Sequence, residues 1–227
     1  MNRHRVAREE GRAVIRTLFV DAGGVLYNNI NEETDFLDRV ADRYGVDRAA
    51  FARSVQAAAP GYESGERHVH QVLAGLGANG RRPPVLTPAE ARWLDGAYLD
   101  SVRAYGESFR VLRELRSERP EMELVLTNNE AEQWDRLKDE AHGHFALFDT
   151  VCSSWRTGRV KPALSFFTEA LRRCRATAAE TLLIDDRVPV LRVGAGLGML
   201  TLHVPAPEVL GDRLARTLRD YALPYVR

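Results

Sequence analysis

The stretch Thr17-Leu18-Phe19-Val20-Asp21-Ala22-Gly23-Gly24 decides how this fold begins. Its first four residues are apolar or β-branched, and they predict a short buried strand. The carboxylate of Asp21 follows directly, and the two glycines after it predict a tight turn. An aspartate of this kind can serve the turn alone. In an α/β sheet, however, active-site groups lie at the carboxyl ends of strands, so Asp21 is a candidate catalytic residue.

Further strand-like runs recur along the chain and are separated by helical patterns. The predicted strands are Glu123–Leu126, Thr150–Ser153, Thr181–Ile184 and Leu200–Val204. The predicted helices between and after them are Glu130–His142, Ala163–Cys174, Pro189–Gly196 and Pro207–Tyr221. Alternation of this kind indicates a parallel sheet with helices on both faces. The predicted fold class is therefore α/β, with a Rossmann-like parallel sheet sandwiched by helices.

The segment between the first two strands breaks this alternation because its patterns are helical only. The predicted helices are Glu32–Tyr44, Arg48–Ala58, Glu66–Leu76 and Pro88–Tyr105, with Asp47 and Thr87 as N-caps. The helix Ser108–Arg116 then returns the chain to the sheet. We expect residues 29–106 to form a small all-helical cap. Residues 14–28 and 107–227 would form the α/β core, with residues 1–13 as a flexible tail.

Composition and charge exclude several classes of function. The chain has 227 residues, and its 32 basic residues balance its 32 acidic residues. No overall field attracts nucleic acid or an acidic membrane surface, so neither is an expected partner. No apolar run is long enough to span a bilayer. The two cysteines, Cys152 and Cys174, form no metal or redox motif, which favours a reducing compartment and predicts a cytoplasmic protein. Composition indicates no oligomeric state.

Polar groups follow several predicted strands at points that a parallel sheet would bring to one edge. They are Asp21, Thr127-Asn128, Asp185-Asp186 and, in a loop before a helix, Lys161. Together they offer a nucleophilic carboxylate, a hydroxyl group, a cation and two acidic metal ligands. Such a set suits a phosphoryl group, because Mg²⁺ and lysine neutralise its oxygens while a carboxylate attacks. The alternative interpretations are a solvated loop lysine and an acidic helix cap.

The order and context of these motifs resemble the haloacid dehalogenase-like superfamily, in its phosphatase-type form with a helical cap inserted after the first strand. The resemblance extends over nearly the whole chain. It implies three catalytic residues: Asp21 is the nucleophile that becomes an aspartyl-phosphate, the Thr127 hydroxyl holds the transferring phosphoryl group, and Lys161 steadies both nucleophile and phosphate. It also implies phosphate binding at Gly23, Thr127, Asn128 and Lys161.

The same resemblance implies one Mg²⁺ ion as the cofactor. Its ligands would be the carboxylates of Asp21, Asp185 and Asp186, together with the backbone carbonyl of Gly23. Haloacid dehalogenases of this superfamily use no metal and replace the acidic pair with a neutral stretch. This chain keeps Asp185-Asp186. Two adjacent carboxylates at a strand end are costly to bury without a cation, so the sequence favours phosphate chemistry over dehalogenation.

Two positions depart from the pattern of this superfamily. The phosphatases usually have a second Asp two residues after the nucleophile, where this chain has Gly23. The absence of that general acid–base group would slow a reaction by roughly 10²–10⁴-fold. Val190 stands where an Asp or Asn often supports the metal ligands. The proton donor that replaces this Asp could come from the cap, from water or from the substrate. His68 or His70 is the candidate in the cap, and Tyr27 and Tyr62 are weaker candidates.

The resemblance predicts a magnesium-dependent phosphatase that acts on a small phosphorylated metabolite. A missing acid favours substrates with good leaving groups, such as a sugar or cyclitol phosphate. Two alternatives stay open at this point. One is a catalytically weak or inactive relative that binds a phosphorylated ligand or a partner protein, and the other is a phosphoryl transferase.

Overall fold

The computed structural model describes residues 14–78 and 86–221. It contains a five-stranded parallel sheet in the order β3-β2-β1-β4-β5. The strands are β1 (Thr17–Val20), β2 (Glu123–Leu126), β3 (Thr150–Val151), β4 (Thr181–Asp185) and β5 (Leu200–His203). The predicted parallel α/β sheet is therefore confirmed, whereas the predicted tail 1–13 lies outside the described residues.

Helices separate the strands and cover both faces of the sheet. Helix α6 (Gly106–Glu118) immediately precedes β2. The helices after β2 are α7 (Glu132–His142), α8 (Ser154–Thr157), α9 (Leu164–Cys174), α10 (Val188–Gly196) and α11 (Leu210–Asp220). On one face Leu18 and Val20 of β1 pack in a cluster with α6 and α11. On the other face Phe19 packs with residues of α9 and α10. All four residues of β1 are buried because this central strand is apolar on both faces.

Between β1 and α6 the described chain is helical. The helices are α1 (Ile30–Glu33), α2 (Phe36–Tyr44), α3 (Arg48–Glu63), α4 (Val69–Gly77) and α5 (Pro88–Ser101). Their apolar residues form a cluster of their own, which also includes Trp134 of α7. The ring of Trp134 stacks on Tyr98 of α5 at a centroid distance of 4.4 Å. This helical segment (residues 29–106) is thus packed on α7, and its division from the sheet as a separate cap domain stays a prediction.

Several predicted boundaries were wrong for local reasons. The predicted helix Glu32–Tyr44 is two helices, because the Thr34 hydroxyl donates to the Ile30 carbonyl and accepts from Phe36 N–H at the break. The predicted strand Thr150–Ser153 ends at Val151, and the helix predicted to end at Tyr105 ends at Ser101.

Helix α3 is longer than predicted, because it continues through Pro60 to Glu63 instead of ending at Ala58. The Asp47 and Thr87 N-caps are confirmed, with side-chain oxygens that accept from Ala50 N–H at 2.8 Å and Glu90 N–H at 3.2 Å. Within the described residues, no helix combines the length and apolar composition that a bilayer crossing requires.

Candidate active site

The sheet register brings the predicted strand-end residues to one edge. Val20 pairs with Leu126 on one side and with Ile184 on the other, so the residues that follow these three positions are neighbours. Asp21 N–H donates to the Ile184 carbonyl at 3.0 Å, and Thr127 N–H donates to the Val20 carbonyl at 2.8 Å. Asp185 is the last residue of β4. Asp21 therefore lies between Thr127 and Asp185.

Lys161 lies between two of these carboxylates. Its Nζ is 2.9 Å from Asp21 Oδ1 and 2.7 Å from Asp185 Oδ2. The side chain of Asn129 fixes the backbone of this loop residue, because its Oδ1 accepts from Lys161 N–H and its Nδ2 donates to the Lys161 carbonyl. The structure thus joins three residues that are far apart in sequence into one buried ion-pair cluster.

Burial raises the pKa of the candidate nucleophile. Against the opposing charge of Lys161, burial together with the Asp185 and Asp186 carboxylates raises the pKa of Asp21 to about 7. Burial lowers the pKa of Lys161, but the carboxylates of Asp185 and Asp21 outweigh burial and raise it. Lys161 is therefore a cation, and a further positive charge would favour the ionised form of Asp21.

The three aspartates suit a hard divalent cation. Asp21, Asp185 and Asp186 each offer a carboxylate oxygen, and these oxygens lie within 4.8 Å of one another. Asp186 Oδ1 is buried and has no hydrogen-bond partner in the described residues, which is costly for an ionised oxygen unless a ligand contacts it. Both oxygens of Asp185 are engaged, Oδ2 by Lys161 and Oδ1 by Arg187 N–H at 2.8 Å. Asp186 and Asp21 are therefore the carboxylates best able to bind Mg²⁺ directly.

Asn29 occupies the space beside Gly23. A Cβ atom built on Gly23 would lie 2.7 Å from Asn29 Oδ1, so a larger residue fits only if Asn29 moves. The Asn29 Nδ2 group donates to Asp186 Oδ2 at 2.9 Å. Asn29 is thus a site residue that the sequence motifs did not indicate, and it fills the position that an Asp side chain at 23 would take.

The two residues after β2 differ in their surroundings. The Thr127 side chain is fully buried, and its hydroxyl group has no hydrogen-bond partner among the residues described. The Asn128 side chain donates through Nδ2 to Asp135 Oδ1 at 3.0 Å. The Thr127 hydroxyl therefore has no hydrogen-bond partner in the described chain but does not line the cavity at this edge of the sheet, whereas the Asn128 amide is held by α7.

A cavity of about 720 Å³ opens at this edge of the sheet. Asp21, Gly23, Asn128 and Lys161 line it, together with Val190. Helices of the segment 29–106 supply much of the remaining wall, including the residues Ile30, Leu37, Arg53, Gln56, Pro60, Tyr62 and Glu63. Asp186 borders a smaller cavity of about 260 Å³ instead. The predicted site thus combines strand-end groups with residues of the helical segment.

The proposed substitutes for the missing acid lie in different places. His68 and His70 do not line the cavity, and His70 Nε2 is 2.7 Å from Asp95 Oδ1. Tyr27 is also outside the cavity lining, and its hydroxyl contacts His144 Nδ1 at 3.1 Å. Tyr62 does line the cavity, but burial raises the pKa of its hydroxyl group.

Arg187 is a second site residue that the sequence reasoning missed. It lines the cavity, its Nη2 is 2.7 Å from Glu32 Oε1, and its Nε is 3.9 Å from Asp186 Oδ1. Its place directly after Asp185-Asp186 was the available signal. The cavity therefore has two cations near the aspartates, Lys161 and Arg187, which favours an anionic ligand.

Comparison with known sequences identifies similar proteins. A family model described as haloacid dehalogenase-like hydrolase matches residues 15–198. A sesquiterpene phosphatase from Aspergillus oryzae is 32% identical over 94 residues, which cover 41% of this chain and 47% of that protein. A glyceraldehyde 3-phosphate phosphatase from Methanocaldococcus jannaschii is 30% identical over 104 residues, which cover 45% of each chain. The chain spans about half the length of these curated relatives.

Solved structures share the fold. A haloacid dehalogenase family enzyme from Bacteroides thetaiotaomicron superposes with a TM-score of 0.70 at 16% identity, covering 84% of this chain and 93% of that one. A variant of the same enzyme in complex with magnesium and inorganic phosphate superposes with a TM-score of 0.66 at 16% identity, covering 83% and 93%. At this level of identity, the similarity extends to the fold alone.

Proposed function

The chain belongs to the haloacid dehalogenase-like hydrolase family, and on this premise we propose that it is a magnesium-dependent phosphatase of a small phosphorylated metabolite. One observation carries the proposal. Three carboxylates have oxygens within 4.8 Å of one another, and Lys161 pairs with two of them at the edge of the sheet where the cavity opens. A phosphoryl group is the common biological ligand that needs a carboxylate nucleophile, a divalent cation and a lysine at one place.

In the proposed reaction the Asp21 carboxylate attacks the phosphorus atom, the bond from phosphorus to the ester oxygen breaks, and the alcohol leaves. Lys161 orients Asp21 through Oδ1, which leaves Oδ2 as the attacking atom. The Thr127 hydroxyl, which is buried without a partner in the described chain, donates to a phosphoryl oxygen. A bound Mg²⁺, held by Asp21 and Asp186, would neutralise charge on the phosphoryl oxygens and on the aspartates themselves. Water then hydrolyses the aspartyl-phosphate.

The dimensions of the cavity favour a small molecule as the substrate. Its volume of about 720 Å³ lies within the range of roughly 300–1,000 Å³ that small-molecule sites span. Apolar residues such as Ile30 and Leu37 and polar residues such as Arg53 and Gln56 both line it. The helical segment 29–106 would act as a cap that contacts the organic part of the substrate and excludes water. The phosphatases among the relatives also act on small organic phosphates, as their names state.

The other candidate function is a weakly active or inactive protein that binds a phosphorylated ligand. Asn29 supports it, because this amide fills the position of the usual acid–base group and does not titrate. Both candidate functions predict binding of a phosphorylated compound, and they differ in turnover.

The test is the release of inorganic phosphate from a panel of phosphorylated metabolites. Wild type and Asp21→Asn are compared in magnesium and in excess chelator, at enzyme concentrations that reveal slow turnover. Phosphate release that requires magnesium and is lost in Asp21→Asn supports the phosphatase. Binding of a panel compound without release in the wild type contradicts the phosphatase and supports the binding protein.

A further inference from the structure

The proposed reaction needs a proton donor that the loop after β1 does not provide. Gly23 has no side chain, and the Asn29 amide occupies the adjacent space. An amide neither protonates a leaving group nor removes a proton from water. A replacement must therefore be a titratable group that faces the same cavity from another element.

Glu63 fulfils this requirement by position. It is the last residue of α3 and lines the same cavity as Asp21 and Gly23. It reaches the cavity because α3 continues beyond Ala58 for more than another turn. Its side chain is half-buried, and none of the interactions that set its pKa in the described chain is a hydrogen bond. The carboxyl group is therefore free to contact a ligand.

The charged groups around Glu63 come from several elements. The Glu130 carboxylate precedes α7, Arg187 precedes α10 and Lys161 precedes α9, while Tyr62 is its titratable neighbour on α3. Against the opposing charges of Arg187 and Lys161, burial together with the Glu130 carboxylate raises the pKa of Glu63 to about 7. Near neutral pH both forms of the carboxyl group are populated, as general acid–base catalysis requires.

The other glutamates that line the cavity are already engaged. Glu130 Oε2 accepts from the Tyr98 hydroxyl at 2.9 Å and from Lys138 Nζ at 2.6 Å. Glu32 Oε1 is 2.7 Å from Arg187 Nη2 and is exposed. Donors already occupy carboxylate oxygens of both residues, so neither is as free as Glu63 to contact a leaving group.

We propose that Glu63, from the helical segment, is the general acid–base residue that replaces the missing aspartate at position 23. The inference rests on the proposed phosphatase function and assigns the proton transfers of that reaction. It also assigns a catalytic task to the helical segment, which would then contribute a reacting group as well as a wall of the cavity.

The proposed steps balance in atoms and protons. Asp21 forms a bond to phosphorus as the bond from phosphorus to the ester oxygen breaks, and the Glu63 carboxylic acid gives its proton to that oxygen. The Glu63 carboxylate then takes a proton from a water molecule as the water oxygen attacks the aspartyl-phosphate. The bond between phosphorus and the Asp21 oxygen breaks. Phosphate leaves, and both Asp21 and Glu63 return to their starting forms.

The experiment is rapid-quench kinetics of Glu63→Gln with para-nitrophenyl phosphate and magnesium. Para-nitrophenolate leaves without a proton, so the first step should survive and release about one equivalent per site in a burst. The second step needs the base, so steady-state turnover should fall by roughly 10²–10⁴-fold and phosphorylated Asp21 should accumulate. A loss of structural support alone would not trap a phosphoenzyme.

Two further variants make the result decisive. Glu66→Gln is the matched control, because Glu66 is exposed in the loop between α3 and α4 and does not line the cavity. It should turn over like the wild type. Glu63→Asp, which keeps a carboxyl group, should recover part of the steady-state rate. Equal steady-state rates for Glu63→Gln and Glu66→Gln would overturn this inference and leave the phosphatase standing. If the wild type showed no more magnesium-dependent turnover than Asp21→Asn, both this inference and the proposed phosphatase function would be overturned.

Discussion

Asp21 and Asp135 are both buried aspartates, yet their carboxylates differ in how many hydrogen-bond donors surround them. Asp135, on α7, is fully buried and accepts four hydrogen bonds. The donors are Asn128 Nδ2 at 3.0 Å, Ser153 Oγ at 2.6 Å, Trp155 Nε1 at 2.8 Å and His144 Nε2 at 3.3 Å. Asp21 accepts from Ala22 N–H at 2.7 Å and from Lys161 Nζ at 2.9 Å. Two further carboxylates stand beside it.

The difference in partners moves the two pKa values apart. Burial would raise the pKa of Asp135, but the His144 hydrogen bond and the Lys138 charge outweigh burial and lower it to about 2. Burial raises the pKa of Asp21 to about 7. The Asp135 carboxylate, which connects α7 to neighbouring residues, is fully hydrogen-bonded. The carboxylate of Asp21, the proposed nucleophile, is not. A buried carboxylate with incomplete hydrogen bonding is typical of a ligand-binding site.

The largest expected effect concerns Lys161, which offsets the charge of Asp21. In Lys161→Met, Asp21 and Asp185 stay buried without their cation, and we expect the free energy of unfolding to fall by about 3–5 kcal/mol. Arg16→Met, which removes an exposed ion pair with Glu180, should cost about 1 kcal/mol or less. Urea denaturation of both variants at neutral pH measures the contrast. Equal losses would show that the cluster at Asp21 is no more dependent on its cation than a surface pair.

Asp135→Asn should destabilise the protein in a pH-dependent way. The lowered pKa of Asp135 means that the stability from its ionised form is present above pH 4 and is lost as pH falls toward about 2. The shift corresponds to about 2 kcal/mol at neutral pH. Urea denaturation between pH 2 and 7 should show the deficit of the variant shrinking by that amount at the acid end. A deficit that stays constant across this range would contradict the assignment.

Asp21→Asn should raise the free energy of unfolding at neutral pH, whereas Asp135→Asn should lower it. Because the pKa of Asp21 is raised in the folded protein, wild-type stability should decline as pH rises from about 4 to about 7. In chelator, the variant lacks this decline and should be more stable at neutral pH by about 0.5–2 kcal/mol. The advantage should vanish below pH 4. If both Asn variants were destabilised at neutral pH, the contrast between the two aspartates would fail.

The smallest expected effect is stabilisation by magnesium. At a magnesium concentration about ten times its dissociation constant, the free energy of unfolding should rise by about 1.4 kcal/mol, which thermal denaturation detects. Asp186→Asn should abolish this gain, because Asp186 Oδ1 is a buried carboxylate oxygen without a hydrogen-bond partner in the described structure. Without metal, this variant should be at least as stable as the wild type. An undiminished magnesium effect in Asp186→Asn would place the ion elsewhere.

The same contrast recurs among the glutamates of the cavity. Glu130 is held by Tyr98 and Lys138, and Glu63 faces the cavity without such donors. Glu130 lies just before α7, and Glu63 is the last residue of α3. Their different roles follow from which donors the fold places around each of them.

The sequence by itself determined the parallel sheet and the groups at its edge. Short strands such as Leu182-Leu183-Ile184 are apolar on both faces, so burial between helices follows from composition alone, and the polar residue after each strand must lie at the carboxyl edge. Asp21 and Asp185 could be brought together on that basis, and the motif order added Lys161 from a loop before a helix. The helical nature of the segment after β1 was also readable from its periodicity.

The tertiary structure decided what surrounds those groups. Asn29 against Gly23, Glu63 at the end of a longer α3 and the four donors around Asp135 all depend on contacts between distant segments or on where a helix stops. Residue patterns specify local backbone and burial, because those depend on neighbours in sequence. A pKa and a free hydrogen-bonding position depend on neighbours in space, and these exist only once the helices have packed against the sheet.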